Sequence, residues 1–213
     1  MVSLAIAQAL RTGCEQLGLT LDAPQQRQLL EYLALFIKWN QAYNLSAIRD
    51  PEQMLRLHLL DSLSIAPHLT GQRFIDVGTG GGLPGIPLAI CFPERHFTLL
   101  DSAGKKMRFL FQVKQSLKLA NVDTQNCRVE AYQPAQLYDG VISRAFASLQ
   151  DMTDACQHLL APNGRFWAMK GQQPHTELST VAKHYTVAHS YPLAVPGVDA
   201  ERCLIALQAK HET

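Results

Sequence analysis

Apolar residues recur at three- and four-residue steps through the first third of the chain, then at alternate positions in short runs from about residue 73 onward. The first pattern predicts three helices, roughly Leu4 to Leu17, Pro24 to Tyr43 and Pro51 to Pro67. In the second, Leu29, Leu33, Phe36 and Ile37 share one face, and Asp22 with Pro24 supplies a start signal. It ends in WNQAYNLSAIRDPEQ, where Trp39, Asn40, Tyr43, Asn44 and Ser46 are too rich in amides and aromatics for plain surface loop, although capping and turn chemistry would also use them. The second pattern predicts strands at Arg73 to Val77, His96 to Leu100, Asn126 to Val129, Tyr138 to Ser143, Gly164 to Met169, Thr186 to Tyr191 and Cys203 to Gln208. Helices at Gly104 to Leu119 and Leu149 to Leu160 alternate with them, as in a mostly parallel sheet covered on both faces. The expected organisation is an N-terminal helical extension, 1–70, packed on an α/β core, 71–213, as one compact unit.

The segment FIDVGTGGGLPGIPLA, Phe74 to Ala89, carries candidate chemistry. An apolar strand runs into Gly78, Gly80, Gly81 and Gly82, with Pro84 and Pro87 at a helix start. Glycines let backbone N–H groups approach a ligand, and proline suits a first helical turn. Gly80-x-Gly82-x-x-Gly85 also fits the dinucleotide fingerprint, which seats a pyrophosphate at a helix N-terminus. Asp76 favours a methyl donor over a dinucleotide, because its carboxylate would repel a pyrophosphate but could attract the ammonium or sulfonium of S-adenosylmethionine, directly or through water. Asp101 ends the next strand, nineteen residues after Gly82, where a carboxylate reaches ribose hydroxyls.

Composition narrows the partners. A 213-residue chain that is 47% apolar builds a real core, and a net charge of +1 gives no general support for nucleic-acid or membrane binding, so any RNA contact must come from a local patch. The five cysteines lack a CxxC pair, the histidines lack HExxH spacing, and no metal is expected; His58 reads as a packed or capped residue. No apolar run approaches eighteen residues and the start lacks a basic leader, so a cytoplasmic protein is expected.

Ligands of open α/β sheets lie beyond the carboxyl ends of the strands. There the sequence places Gly78 to Leu83, Asp101 and Ser102, Val129 and Glu130, Arg144, and Lys170. Val129 and Glu130 are positioned to meet an adenine ring and its amino group, unless Glu130 is a solvated helix-start acid. Arg144 leaves an apolar strand into the cleft, where its planar donor fork suits phosphate or the O6 and N7 edge of guanine. An ion pair to Asp76 or Asp101 is its structural alternative. The chain has no Pro-Cys pair for attack on a cytosine and no Asn-Pro-Pro-aromatic turn for an exocyclic amine. A ring nitrogen with a free lone pair, such as guanine N7, needs no general base, and positioning and electrostatics supply the catalysis.

These motifs resemble those of the bacterial RsmG (GidB) 16S rRNA guanine-N7 methyltransferases. The resemblance runs through KWNQAYNLSAIRDPEQMLRLHLLDSL at 38 to 63, the glycine segment, LLDSAGKKMRFL at 99 to 110, RVE at 128 to 130, DGVISRAFASL at 139 to 149 and MKG at 169 to 171. It implies a Rossmann-like class I methyltransferase with a mostly parallel seven-stranded sheet, using S-adenosylmethionine as cofactor and 16S rRNA, within the 30S subunit or an assembly intermediate, as partner. By motif it assigns donor contacts to Gly78, Leu83, Val129, Glu130 and Arg144, with Gly80 in the same loop and Asp76 and Asp101 in the same pocket. Lys105, Lys106, Arg128, Arg165, Lys170 and Arg202 are candidates for a phosphate-binding rim, each placed near the cleft mouth. Cys203 stands where family members often have histidine, which leaves any RNA-docking role of that histidine unfilled here. Other classes to be tested are an NAD(P)-dependent oxidoreductase and a regulatory protein that binds the methyl donor without turnover.

Overall fold

The structure, a computed structural model, describes residues 2–210; Met1 and residues 211–213, at the outer ends of the two ranges expected above, lie outside the described residues. Helix α1 (Leu4–Gln16) starts at Ser3, whose hydroxyl accepts from Ile6 N–H. Helix α2 (Ala23–Tyr43) starts in a capping box, in which Asp22 accepts from Gln25 N–H and the Gln25 side chain accepts from Asp22 N–H.

The third helix, expected as one run, is α3 (Pro51–Met54), a π-helical turn (Leu55–Leu60) and α4 (Asp61–Leu63), followed by a 3-10 turn at Ala66–His68. A π turn holds an extra residue, which changes the face on which later side chains emerge, and such turns gather at functional sites. His58 lies within it and Asp61 directly after.

The core alternates β1 (Arg73–Val77), α5 (Gly85–Cys91), β2 (His96–Leu100), α6 (Gly104–Leu117), β3 (Val122–Gln125), β4 (Tyr138–Ser143), α7 (Leu149–Cys156), β5 (Leu160–Lys170), α8 (His175–Val181), β6 (Tyr185–Pro192) and β7 (Cys203–Ala209). Spatial order is β3-β2-β1-β4-β5-β7-β6; only β7 runs antiparallel, to β5 and to β6. From β1 the chain winds outward to β3, then returns to lay β4 on the other side of β1. That reversal opens a crevice at the carboxyl ends of β1 and β4.

The third strand is a correction: it spans Val122–Gln125, four residues before the expected place. The chain turns at Asn126, whose amide donates to Asp101 C=O at the end of β2, and Val129 belongs to a 3-10 turn.

Alternate strand residues enter two apolar clusters, one on each sheet face. Phe74, Ile142 and Trp167 face one; Ile75, Val141 and Phe166 face the other. The first cluster also holds Leu10 of α1, Leu33 and Phe36 of α2 and Leu59, so the N-terminal helices share a core with α5 and α6. Among the described residues no helix is long and apolar enough to cross a membrane.

Candidate active site

The glycine loop is fixed from three sides. Gly78 and Thr79 N–H both donate to Leu100 C=O at the end of β2. Gly78 has φ +71°, and a Cβ there would stand 2.6 Å from the Ala145 Cβ, so only glycine fits. From α2, the fully buried Tyr32 donates its hydroxyl to Gly81 C=O at 2.7 Å, and Phe36 presses on Gly81, where an added Cβ would meet its ring at 2.4 Å.

Asp76 lies beneath this loop rather than facing a ligand. It is 1% exposed, and one carboxylate oxygen accepts from Thr79 Oγ1 at 2.6 Å and Gly85 N–H at 2.8 Å; the other oxygen is buried without a partner. Burial pushes its pKa up to about 6, against the pull of Thr79, Gly85 and Arg144. The sequence allows contact with a cationic ligand directly or through water; in this geometry one carboxylate oxygen is turned down to close the loop onto α5. Asp101, also buried, has a similar duty at the end of β2: its oxygens accept from Gly80 N–H and Ala103 N–H at 2.9 Å each, with Lys106 Nζ at 3.4 Å.

Three adjoining cavities follow the carboxyl edge. The first, about 200 Å³, is lined by Gly78, Asp101, Ser102, Val129, Glu130 and Phe146 among others. The second, about 260 Å³, lies over the loop between Gly80, Gly81, Leu83, Leu45, Ser46 and Arg144, and shares Gly78 and Ala145 with the first. The third, about 450 Å³, shares His58 and Arg144 with the second and extends to Asp61, Met169, Lys170 and Arg202. A larger cavity of about 840 Å³ opens between α1, α2 and the start of α3, and touches none of these loops.

The roof comes from the amide-rich segment after α2. The Asn40 side chain, 1% exposed, donates to Ile48 C=O at 2.8 Å and accepts from Ser46 N–H at 2.7 Å, while Asn44 ends α2 in the left-handed conformation. His58 completes the clamp. Its Nδ1 stands 3.1 Å from Leu57 C=O, which only accepts, so Nδ1 bears the proton and Ser46 Oγ donates to Nε2 at 2.9 Å. Burial, reinforced by Arg144, pushes the His58 pKa down to about 4 and keeps the ring neutral.

Arg144 does not pair with Asp76 or Asp101. Its Nη1 donates to Asp61 Oδ2 at 3.0 Å, and Arg202 Nε donates to Asp61 Oδ1 at 3.0 Å. Asp76 is sealed under the loop and Asp101 is engaged by backbone, whereas α4 carries Asp61 to the strand ends. Asp61 is not among the residues the sequence reading singles out, although a lone acid in the apolar run LHLLDSL is a readable signal.

The rim candidates divide. Lys105 and Arg128 are exposed, Arg128 beside the first cavity. Lys170 lines the third cavity but turns its ammonium to Glu177 at 2.9 Å and Ala147 C=O at 3.1 Å. Arg165 is a correction: it sits beside Gly140 early in β4 and reaches Thr70 ahead of β1 at 3.4 Å, toward the amino ends of the strands and away from the cleft.

A glycine loop after β1, an acid after β2 and a seven-stranded sheet with one reversed strand define a Rossmann-like class I methyltransferase. Solved structures with that fold include a ribosomal protein L11 methylase from Lactobacillus delbrueckii subsp. bulgaricus, at TM-score 0.55 and 15% identity over 76% of this chain and 80% of that one. Another is the N-methyltransferase NodS of Bradyrhizobium japonicum WM9, in complex with S-adenosyl-L-homocysteine, at TM-score 0.54 and 16% identity over 84% of this chain and 98% of that one. The family described as GidB, rRNA small subunit methyltransferase G, matches residues 25–205, and the chain belongs to it. A ribosomal RNA small subunit methyltransferase G of Saccharophagus degradans is 65% identical over 97% of this chain and 93% of its own, and one of Pseudomonas paraeruginosa is 53% identical over 95% of each.

Proposed function

We propose that this chain transfers a methyl group from S-adenosylmethionine to N7 of one guanine of 16S rRNA, in the cytoplasm, on the 30S subunit or an assembly intermediate, without a metal. Of the geometry, the adjoining cavities that run from Asp101 past the glycine loop to Arg144 support this reading most, in a chain of the rRNA small subunit methyltransferase G family. The positive φ of Gly80, with open space where a Cβ would stand, leaves backbone rather than side chain toward the cleft, a surface suited to a close-lying ligand. When bound, the donor supplies a sulfonium methyl group.

The residues divide the remaining work. Asp101 and Ser102 take the ribose end, and the buried Val129 side chain and Glu130 take the adenine. Gly78, Gly80 and Leu83 line the amino-acid end, where Leu45 and Ser46 exclude water. Asp76 acts by fixing Thr79 and Gly85 rather than by touching the donor. Arg144 spans the donor and acceptor cavities and orients the base. Guanine N7 presents a lone pair and loses no proton, so a neutral His58 is no obstacle and the site works by positioning. The nicotinamide reading is disfavoured by the family match, which covers residues 25–205.

The test is transfer of labelled methyl from S-adenosylmethionine to 30S subunits from cells lacking this protein. Appearance of 7-methylguanosine at one site is expected. Donor binding without a labelled nucleoside would leave the fold class standing and remove the proposed substrate.

A further inference from the structure

Two arginines meet one buried carboxylate at the wall of the third cavity. Asp61 is 5% exposed, and each of its oxygens accepts one guanidinium N–H at 3.0 Å, from Arg144 and from Arg202. The three residues come from α4, the end of β4 and the segment before β7. One carboxylate balances one guanidinium, so the group keeps a positive charge. The neighbours do not cancel it: His58 is neutral, and Lys170 is matched by Glu177. A guanidinium has five N–H donors. Arg144 uses one on Asp61, and Arg202 uses one on Asp61 and one on Glu201 C=O, so both keep donors to offer a ligand.

We propose that this cavity seats the acceptor guanosine unit, base toward the glycine loop and phosphate toward Arg202, and that Asp61 is a positioning residue acting through both arginines. The inference rests on the methyl-transfer reading above. The cavity adjoins the glycine-loop cavity through Arg144 and His58, so a purine seated there presents its edge to the donor side. The chemistry then sets a constraint on Arg144. A free guanidinium prefers the two-donor fork on guanine O6 and N7, and that fork would occupy the lone pair that must attack the methyl carbon. Asp61 holds Arg144 through Nη1 and so sets how the remaining donors meet the base; a placement that donates to O6 and leaves N7 open is the one methyl transfer requires. Arg202, held on a separate element, takes the charge of the phosphate.

The two roles separate in steady-state kinetics on 30S subunits from cells lacking the protein. Asp61→Asn keeps the shape but weakens the hold on both arginines; kcat is expected to fall roughly 100-fold, as for a misplaced reacting group, without a matching rise in subunit KM. Arg202→Ala removes a contact made equally before and during reaction, so KM is expected to rise about tenfold with kcat nearly intact. The affinity of Arg202→Ala for S-adenosylhomocysteine, by calorimetric titration, should match the wild type. A merely structural ion cluster would instead lower melting temperature and S-adenosylhomocysteine affinity together, and that result overturns the proposal. So does wild-type kinetics in Arg202→Ala, whose partly exposed side chain can be removed even if Asp61→Asn fails to fold. If the wild-type enzyme labels no nucleoside in the subunits, the functional reading itself has failed, which a variant-specific result cannot mimic.

Discussion

Asp76 shows how one buried side chain links loop geometry to pH. Its folded pKa stands at about 6 against an ordinary 3.8, because burial disfavours the charged form more than Thr79 and Gly85 favour it. The folded chain therefore holds this proton more tightly than the unfolded chain. The resulting stabilisation is complete below about pH 4 and is lost as pH rises through 6, by on the order of 2–3 kcal/mol at 1.36 kcal/mol per unit. Asp76→Asn retains an acceptor for Thr79 and Gly85 but cannot ionise. Its melting temperature relative to wild type should thus rise between pH 5 and pH 7.5, whatever constant cost the buried amide adds. Parallel melts across that range check it, and a difference independent of pH would mean that Asp76 does not titrate with folding. The acid was legible in sequence; its downward turn was not, since only the tertiary approach of Gly85 reveals which way the carboxylate faces.

At the scale of elements, α2 does more than shield the cleft, because its side chains set the glycine loop and its roof. Tyr32 supplies a hydrogen bond to Gly81 C=O while its ring packs among Phe36 and Phe109. Tyr32→Phe keeps the ring and leaves that buried carbonyl without the hydroxyl, costing about 1–3 kcal/mol. Denaturant unfolding should register this loss, and calorimetry should find S-adenosylhomocysteine binding weakened; unchanged binding would detach α2 from the loop's function. Such couplings explain what periodicity could and could not reveal. The long helices stand out by their apolar stripes, the strands at Arg73–Val77 and Tyr138–Ser143 by short apolar runs buried on both faces, and the glycine loop by its composition. The edge strand β3 buries only Val122 fully and continues through polar residues, so its register was invisible. Helix α8 buries only Val181 and was missed, and the π turn that places His58 and Asp61 has no local signature.

Charge behaves differently over the whole molecule than residue counts suggest. The net charge is +1, and most cations along the carboxyl edge are already matched: Lys106 with Asp101, Lys170 with Glu177, and Arg144 with Arg202 around a single Asp61. Lys105 and Arg128 are the rim candidates at that edge with no carboxylate in ion-pair distance among the described residues. Adding the one excess charge of the arginine pair, the surface can neutralise about three phosphates, for which the logarithm of the binding constant should fall against the logarithm of salt with a slope of roughly −2 to −3. An enzyme gripping RNA chiefly by charge would give a much steeper line. Titrating 30S subunits and a naked rRNA fragment over the same salt range separates these modes. A shallow slope with clear preference for the subunit is expected, since so few phosphate contacts leave recognition to shape and to the seating of one base. A steep slope, or equal affinity for the naked fragment, would require basic surface beyond the rim described here and would detach substrate choice from the folded subunit.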